Sequence, residues 1–505
     1  MLFAFSWLID APIVGIYLLL TMAAGIWVRR YVGKVDDFLV AGREMNVYLG
    51  IASLAATEFG IVTCMYSAQL GYAFGFSGAI VGVLSAAAMW LIGATGFCIG
   101  PLRDSGVITL PELFEQRFGP RIRWASGVVI VLGGLLNMGV FLRIGGEFLV
   151  LACGLNPQYL QLTMTALLVA VSVYTILGGM LSVLVTDYLQ FIVMSAGLLA
   201  VTLLLLGEVG FETIFATVEA HHGSGGFNPL VHPQLGWSFV VFNLLVVSAA
   251  NLTWQTTIAR VLAATDSATG RKIYTRTSFF FVCRYLIPAL WGIVALAVLT
   301  EADLAGLPAA MQGEKASLYA MPVALSKLVP AGLMGLLIAA MLAADMSTDS
   351  SYMLTWAGVI YNDILAPLRR GKFDERRGLL WNRAIVALIG VFLFVYGLWY
   401  EHEGDLWTYL AITGSIYLSS MSTLLIACCY WKQANNWGAG AAIVVGALVP
   451  ISRLVCEKLP TDSWPGVADF AKTYEYPWGI AGFIACAAAM IFGSLLKIVL
   501  HGMRN

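Results

Sequence analysis

The sequence predicts an all-α protein that crosses a membrane many times, and three observations carry that prediction. Of 505 residues, 60% are hydrophobic and 11% charged, with a mean hydropathy of +0.84; a soluble domain carries about 25% charge. The apolar residues gather in long runs, each near the roughly 20 residues that a spanning helix needs. The Lys and Arg residues concentrate in alternate connections between those runs, the asymmetry that orients membrane proteins.

Taken in order, Met1 to Asp10 has no basic residue ahead of the first apolar run. A secretory signal would start with positive charge, so this run is expected to be retained as a helix. About thirteen runs have spanning length: 11–28, 47–72, 77–100, 124–152, 159–177, 182–206, 237–258, 278–300, 331–360, 384–400, 406–430, 438–456 and 476–500. With the N-terminus outside, the inner connections hold Arg29, Arg30, Lys34 and Arg43, then Arg103, Arg117, Arg121 and Arg123, then Arg260, Arg271, Lys272 and Arg276. The densest inner group is Arg369, Arg370, Lys372, Arg376, Arg377 and Arg383, while the outer connections hold only Lys315, Lys327, Lys458 and Lys472. An odd number of crossings then puts the C-terminus in the cytoplasm. The expected location is a plasma membrane of the bacterial inner-membrane kind, with lipid as the surrounding partner and a monomer as the expected state.

Several function classes are disfavoured by the same reading. A net charge of −1 offers no basic face for nucleic acid. No P-loop is present to use a nucleotide. The cysteines have neither zinc nor disulfide spacing. His221, His222, His232, His402 and His501 fall in connections or the tail, so the convergent constellation of a membrane-embedded enzyme is missing.

Glu58, Arg143, Glu147, Asp187, Arg284, Asp345, Asp349 and Arg453 lie inside the apolar runs. Such charges are costly at membrane depth and usually face a bundle interior or a water-filled path. They favour a transporter or channel over a scaffold. Arg284 and Arg453 stand near the ends of their runs and are expected to snorkel. Arg143 and Glu147 are four residues apart on one helix face. They form either a structural ion pair or, with Arg143 turned inward, a guanidinium fork for a substrate carboxylate.

Three stretches carry a family resemblance. The first runs Tyr174-Thr175-Ile176-Leu177-Gly178-Gly179-Met180-Leu181-Ser182, followed by Thr186-Asp187 and Gln190; its glycine pair permits a tight turn between helices. The second is Ala343-Ala344-Asp345-Met346-Ser347-Thr348. Ala344, Ser347 and Thr348 share a helix face and offer neutral hard oxygens of the kind a hard cation takes. The third runs from Gln255 to Ala264 around Arg260, which is expected at the inner surface. Weaker matches are Thr109-Leu110-Pro111-Glu112 with Arg117-Phe118-Gly119, and Lys432 with Gly438-Ala439 and Gly446. Together these stretches resemble the sodium:solute symporter family.

The resemblance implies a LeuT-type fold: two inverted five-helix repeats, with one helix before and two after. The expected divisions of the single transmembrane domain are 1–46 for the extra helix, 47–206 and 237–430 for the repeats, and 438–505 for the last helices. The first helix of each repeat should be broken, near Glu58 and near Asn251-Leu252-Thr253-Trp254. The family's sodium ligands map onto the carbonyls of Ala56, Phe59 and Ala344 and the hydroxyls of Ser347 and Thr348. Glu58 would add field to that site, and Asp187 either hosts a second ion or serves the inner gate. Thr57, Thr63, Tyr66, Gln69, Arg143, Trp254, Gln255, Tyr409 and Thr413 are the candidates for facing the solute. The implied activity is sodium-coupled (Na+) symport of a small organic solute, carboxylate included, by alternating access. A proton-coupled or ion-uncoupled transporter, or a transport-defective sensor of the same fold, is the alternative.

Overall fold

The computed structural model describes residues 5–31, 33–308, 311–368, 374–402, 404–459, 464 and 466–502. Arg369, Arg370, Lys372 and the side chain of His501 lie outside them. The principal helices are α1 Asp10–Val28, α2 Val47–Thr57, α3 Ile61–Phe74, α4 Ile80–Thr95, α5 Pro120–Met138, α6 Phe141–Ala152, α7 Leu160–Val209 and α8 Gly236–Thr253. They continue as α9 Gln255–Ala263, α10 Ser267–Val298, α11 Leu333–Val359, α12 Glu375–Trp399, α13 Leu406–Tyr430, α14 Asn436–Glu457 and α15 Glu475–Gly502. Among the described residues, 11 helical stretches are long and apolar enough to cross a membrane.

Every apolar run falls on helix, but not one to one. The runs 159–177 and 182–206 merge into α7, 50 residues long. A straight helix of that length spans about 75 Å, more than twice a bilayer's hydrocarbon core. Gly179 breaks it, with φ 52° and ψ −147°. A Cβ there would also lie 2.5 Å from a ring carbon of Phe38 and 2.6 Å from its carbonyl oxygen. Conformation and space both require glycine at this turn.

Other helices start earlier than hydropathy suggests. α10 begins at Ser267 rather than near 278, because the Asp266 carboxylate caps it, accepting the Thr269 N–H at 2.7 Å. Its first turns are polar and invisible to a hydropathy window.

α11 and α13 are the most deeply buried spans, while α1 and α15 show most of their surface outward. α7 lies along α11, α10 packs on α3 and α4, and α14 pairs with α15 beside α13. Lipid supplies no hydrophobic drive between helices, so close packing of small residues takes its place. A Cβ on Gly71 would lie 2.1 Å from the Ala289 carbonyl oxygen, and one on Gly292 would lie 1.9 Å from that of Ala68. Basic residues of the connections also close helix C-termini, where free carbonyls accumulate negative charge. Arg103 donates to the carbonyls of Ala264 and Thr265, and Arg271 to those of Gly93 and Ala94. Arg117 donates to the carbonyls of Trp431 and Lys432 at 2.9 and 2.7 Å, joining the two weakest sequence matches to each other.

Candidate functional site

Two helix breaks face each other in the bundle. α2 ends at Thr57 and α3 begins at Ile61, so Glu58, Phe59 and Gly60 interrupt the hydrogen-bond ladder. A Cβ on Gly60 would lie 2.8 Å from Thr348 Oγ1, so this approach to α11 requires glycine. The second break is at Trp254, whose φ of −64° and ψ of 122° separate α8 from α9. Both breaks sit where the sequence places them. Backbone freed from helix at membrane depth survives only where other groups take up its polar atoms.

At the first break the partners are the hydroxyls of α11. Ser347 Oγ donates to the Ala56 carbonyl at 2.8 Å and approaches that of Ala344 at 3.1 Å. Thr348 Oγ1 donates to the Thr57 carbonyl at 2.8 Å. Phe59 lies within the break, its N–H directed at the Ala56 carbonyl at 3.2 Å. Ala56, Ala344, Ser347 and Thr348 are thus brought together, all buried. Thr348 reaches the carbonyl of Thr57 rather than that of Phe59. The donor set is neutral oxygen throughout, which suits a hard monovalent cation.

A second polar cluster lies one turn farther along α11, at Ser351, and here the structure corrects the sequence reading. Arg260 is fully buried rather than at the inner surface. Its guanidinium meets Asp187 Oδ2 at 3.1 Å, Thr57 Oγ1 at 2.6 Å, Ser351 Oγ at 2.5 Å and Ser53 Oγ at 3.1 Å. Ser53 also donates to Asp187 Oδ2 at 2.5 Å. The break at Trp254 starts a new helix, and α9 carries Arg260 inward toward the carboxylate that α7 supplies.

Arg284 is a second correction. With α10 starting early, it stands mid-helix, and its guanidinium donates to Glu58 Oε2 at 3.0 Å and Tyr66 OH at 3.2 Å instead of snorkelling. Thr256 and Thr257 of α9 donate to the other Glu58 oxygen at 2.8 and 3.0 Å. Glu58 therefore ties the first break to the start of the helix beyond the second. Arg453 likewise pairs with Glu475 at 3.0 Å and Glu457 at 3.4 Å rather than reaching for headgroups.

Between the breaks lies a cavity. Thr57, Thr63, Tyr66 and Trp254 line it, together with Glu58, Arg284, Thr348, Asp345, Tyr352 and Trp407. Five solute candidates lie elsewhere. Gln69 Oε1 accepts the Leu406 N–H at 3.1 Å, and its Nε2 donates to the Gly404 carbonyl and Ser317. Gln255 faces a separate recess beside Thr109 and Leu39. Tyr409 OH donates to the Leu136 carbonyl, and Thr413 to that of Tyr409. Arg143 is held by Glu147 and Glu401, both at 2.9 Å, and by the Gly397 carbonyl, so no free fork faces the cavity. Sequence reasoning missed the cavity roles of Asp345 and Tyr352. Their spacing of three and four residues from Thr348 puts them on its face of α11, and that signal was available.

The family model of the sodium:solute symporter family matches residues 38–446. A sodium/glucose cotransporter 4 of Danio rerio is 26% identical over 89% of this chain and 72% of its own length. A sodium/mannose cotransporter of Bos taurus is 27% identical over 97% of this chain and 86% of its own. Among solved structures, a Na+-coupled sialic acid symporter in a substrate-bound outward-open state superposes with a TM-score of 0.77 at 19% identity, covering 96% of this chain and 97% of that one. The nucleobase-cation-symport-1 family transporter Mhp1 gives a TM-score of 0.54 at 13% identity, covering 91% and 95%. These likenesses establish the LeuT-type fold.

Proposed function

Because this chain belongs to the sodium:solute symporter family, and is thereby a sodium-coupled transporter of a small organic solute, we propose that Ala56, Phe59, Ala344, Ser347 and Thr348 hold the ion and that the adjoining cavity holds the solute. The observation that carries this reading is the contact of the Ser347 and Thr348 hydroxyls with carbonyls of the broken helix across the bundle.

Coupling follows from shared residues. Thr348 lines the cavity and also touches the Thr57 carbonyl, and Thr57 lines the cavity too. An ion drawing α2 toward α11 orders one wall of the solute site, and a solute ordering that wall favours the ion to the same degree. A membrane potential of 100 mV adds about 2.3 kcal/mol per charge moved inward, roughly 50-fold in accumulation. Asp187 already has a cation in Arg260, which supports one sodium per solute and a gating role for that pair.

Ile61–Thr95 and Pro157–Val209 are each broken at a glycine of positive φ, Gly75 at 62° and Gly179 at 52°, so each is proposed to cross twice. That raises the spans to the expected thirteen, with the N-terminus outside, the C-terminus in the cytoplasm and a plasma-membrane location. The breaks at Glu58–Gly60 and Trp254 then open the two repeats, 47–206 and 237–430. Reconstituted protein should accumulate solute only under an inward sodium gradient, with a measured ratio of one. Uptake that persists after an ionophore collapses that gradient would overturn the coupling, and a ratio of two would return Asp187 to the ion path.

A further inference from the structure

The charges that the sequence sets inside apolar runs do not all find partners. Glu58 pairs with Arg284, Glu147 with Arg143, Asp187 with Arg260, and Arg453 with Glu457 and Glu475. Asp345 and Asp349 have no ion pair among the described residues, and Asp345 Oδ2 and Asp349 Oδ1 have no hydrogen-bond partner. A carboxylate so placed is strongly unfavourable unless it takes up a proton or a cation arrives.

Asp345 is the informative one, because it is 2% exposed and yet lines the central cavity. Its carboxyl packs against α6 at Gly145, where an added Cβ would lie 3.1 Å from Asp345 Oδ1, so only a glycine leaves it room. The other charged groups lining the cavity are Glu58 and Arg284, which neutralise each other. Among the described residues Asp345 is therefore the one acidic or basic side chain of the lining without an ion-pair partner. Its walls are aromatic. Trp254 and Tyr352 lie 5.6 Å apart and edge-on, Phe141 is 5.2 Å from Tyr352, and Tyr66 is 5.1 Å from Trp407. Aromatic faces beside an unpaired carboxylate are the surroundings that organic cations take.

Resting on the reading of this cavity as the solute site, we propose that the solute carries a cationic nitrogen, an ammonium or quaternary ammonium group, which Asp345 neutralises between these aromatic walls. A neutral sugar would leave the carboxylate uncompensated, and a simple carboxylate would be repelled by it. Asp349, one turn along α11, is buried and outside the lining.

The test uses full-length protein in nanodiscs, with thermal stabilisation and uptake as readouts. The probes are choline, ethanolamine, glucose, N-acetylneuraminate and 3,3-dimethylbutan-1-ol, the neutral isostere of choline. In sodium, a cationic probe should stabilise the protein and its neutral isostere should not. Asp345→Asn should weaken that probe at least about ten-fold, or about 1.4 kcal/mol of lost attraction between the charges, and Asp345→Glu should restore part of it. With no probe present, Asp345→Asn should melt above the parent, because a buried carboxyl without an ion pair is gone. Sodium-dependent binding of glucose or N-acetylneuraminate that survives Asp345→Asn would overturn the cation class while leaving sodium symport standing. Absence of any response to the cationic probes would also overturn it. A ten-fold change in the sodium response of Asp345→Asn measured without solute would assign Asp345 to the ion instead. Uptake indifferent to sodium would strike the symport reading itself.

Discussion

Two clusters of buried oxygens join the broken helix to α11, one turn apart, and Thr57 belongs to both. Its carbonyl accepts from Thr348 in the first, and its hydroxyl accepts from Arg260 in the second. The first cluster is neutral, built from Ser347, Thr348 and the backbone. The second has the same kind of hydroxyls, Ser53 and Ser351, around a carboxylate and a guanidinium. Hydroxyls gathered at membrane depth therefore do not by themselves define an ion site. What separates the two is whether the chain brings its own cation.

The sharpest way to break that comparison is Arg260→Ala. Removing one member of a buried pair leaves the other charge uncompensated and costs about 3–5 kcal/mol. Folded yield and melting temperature in detergent should fall steeply, and Asp187→Asn in the same background should recover part of the loss. If Arg260→Ala melts like the parent in sodium but not in potassium, the second cluster accepts an ion as readily as the first. Next come Ser347→Ala and Thr348→Ala. Each removes one neutral oxygen and should raise the sodium concentration for half-maximal uptake about ten-fold, the equivalent of 1.4 kcal/mol. Unchanged sodium titrations in both variants would take these hydroxyls out of the ion site.

Arg143→Gln should act on stability rather than on solute. Glu147 keeps its bond from Tyr319 at 2.7 Å, so the cost is expected to be about 1–3 kcal/mol. Solute affinity should stay near that of the parent, and its abolition at normal yield would restore the carboxylate fork. The smallest effect belongs to Glu401→Ala, which removes only the exposed arm of the same network. It is expected to cost less than about 1 kcal/mol, and a larger drop in melting temperature would show that the arm is buried in the membrane-embedded protein.

Local features were legible in the sequence, and pairings between distant helices were not. The turn at Gly179 announces itself in its glycine pair, while the breaks at Glu58–Gly60 and Trp254 were expected only through the family resemblance. The face shared by Ala344, Ser347 and Thr348 follows from helical spacing alone. Arg260 and Arg284 went astray for a different reason. Hydropathy reports how far a residue is from the end of an apolar run, whereas their positions are set by Asp187 and Glu58, 73 and 226 residues away. The solute candidates divided in the same manner. Thr57, Thr63 and Tyr66 sit at or just after a break and line the cavity, while Gln69, Tyr409 and Thr413 are spent on joining neighbouring backbone.

The contact of Gly71 and Gly292 with opposing carbonyls has a mechanical consequence. Two backbones that touch without side chains between them have no cushion, so α3 and α10 cannot slide or part without losing their whole seam. They form one stiff slab, with Arg284 mounted on it and Glu58 at its edge. α2 also packs on α10, with Gly50 against Ile273, but there a side chain stands between the two backbones. Any rocking that exposes the cavity first to one side of the membrane and then to the other must carry α3 and α10 as a unit.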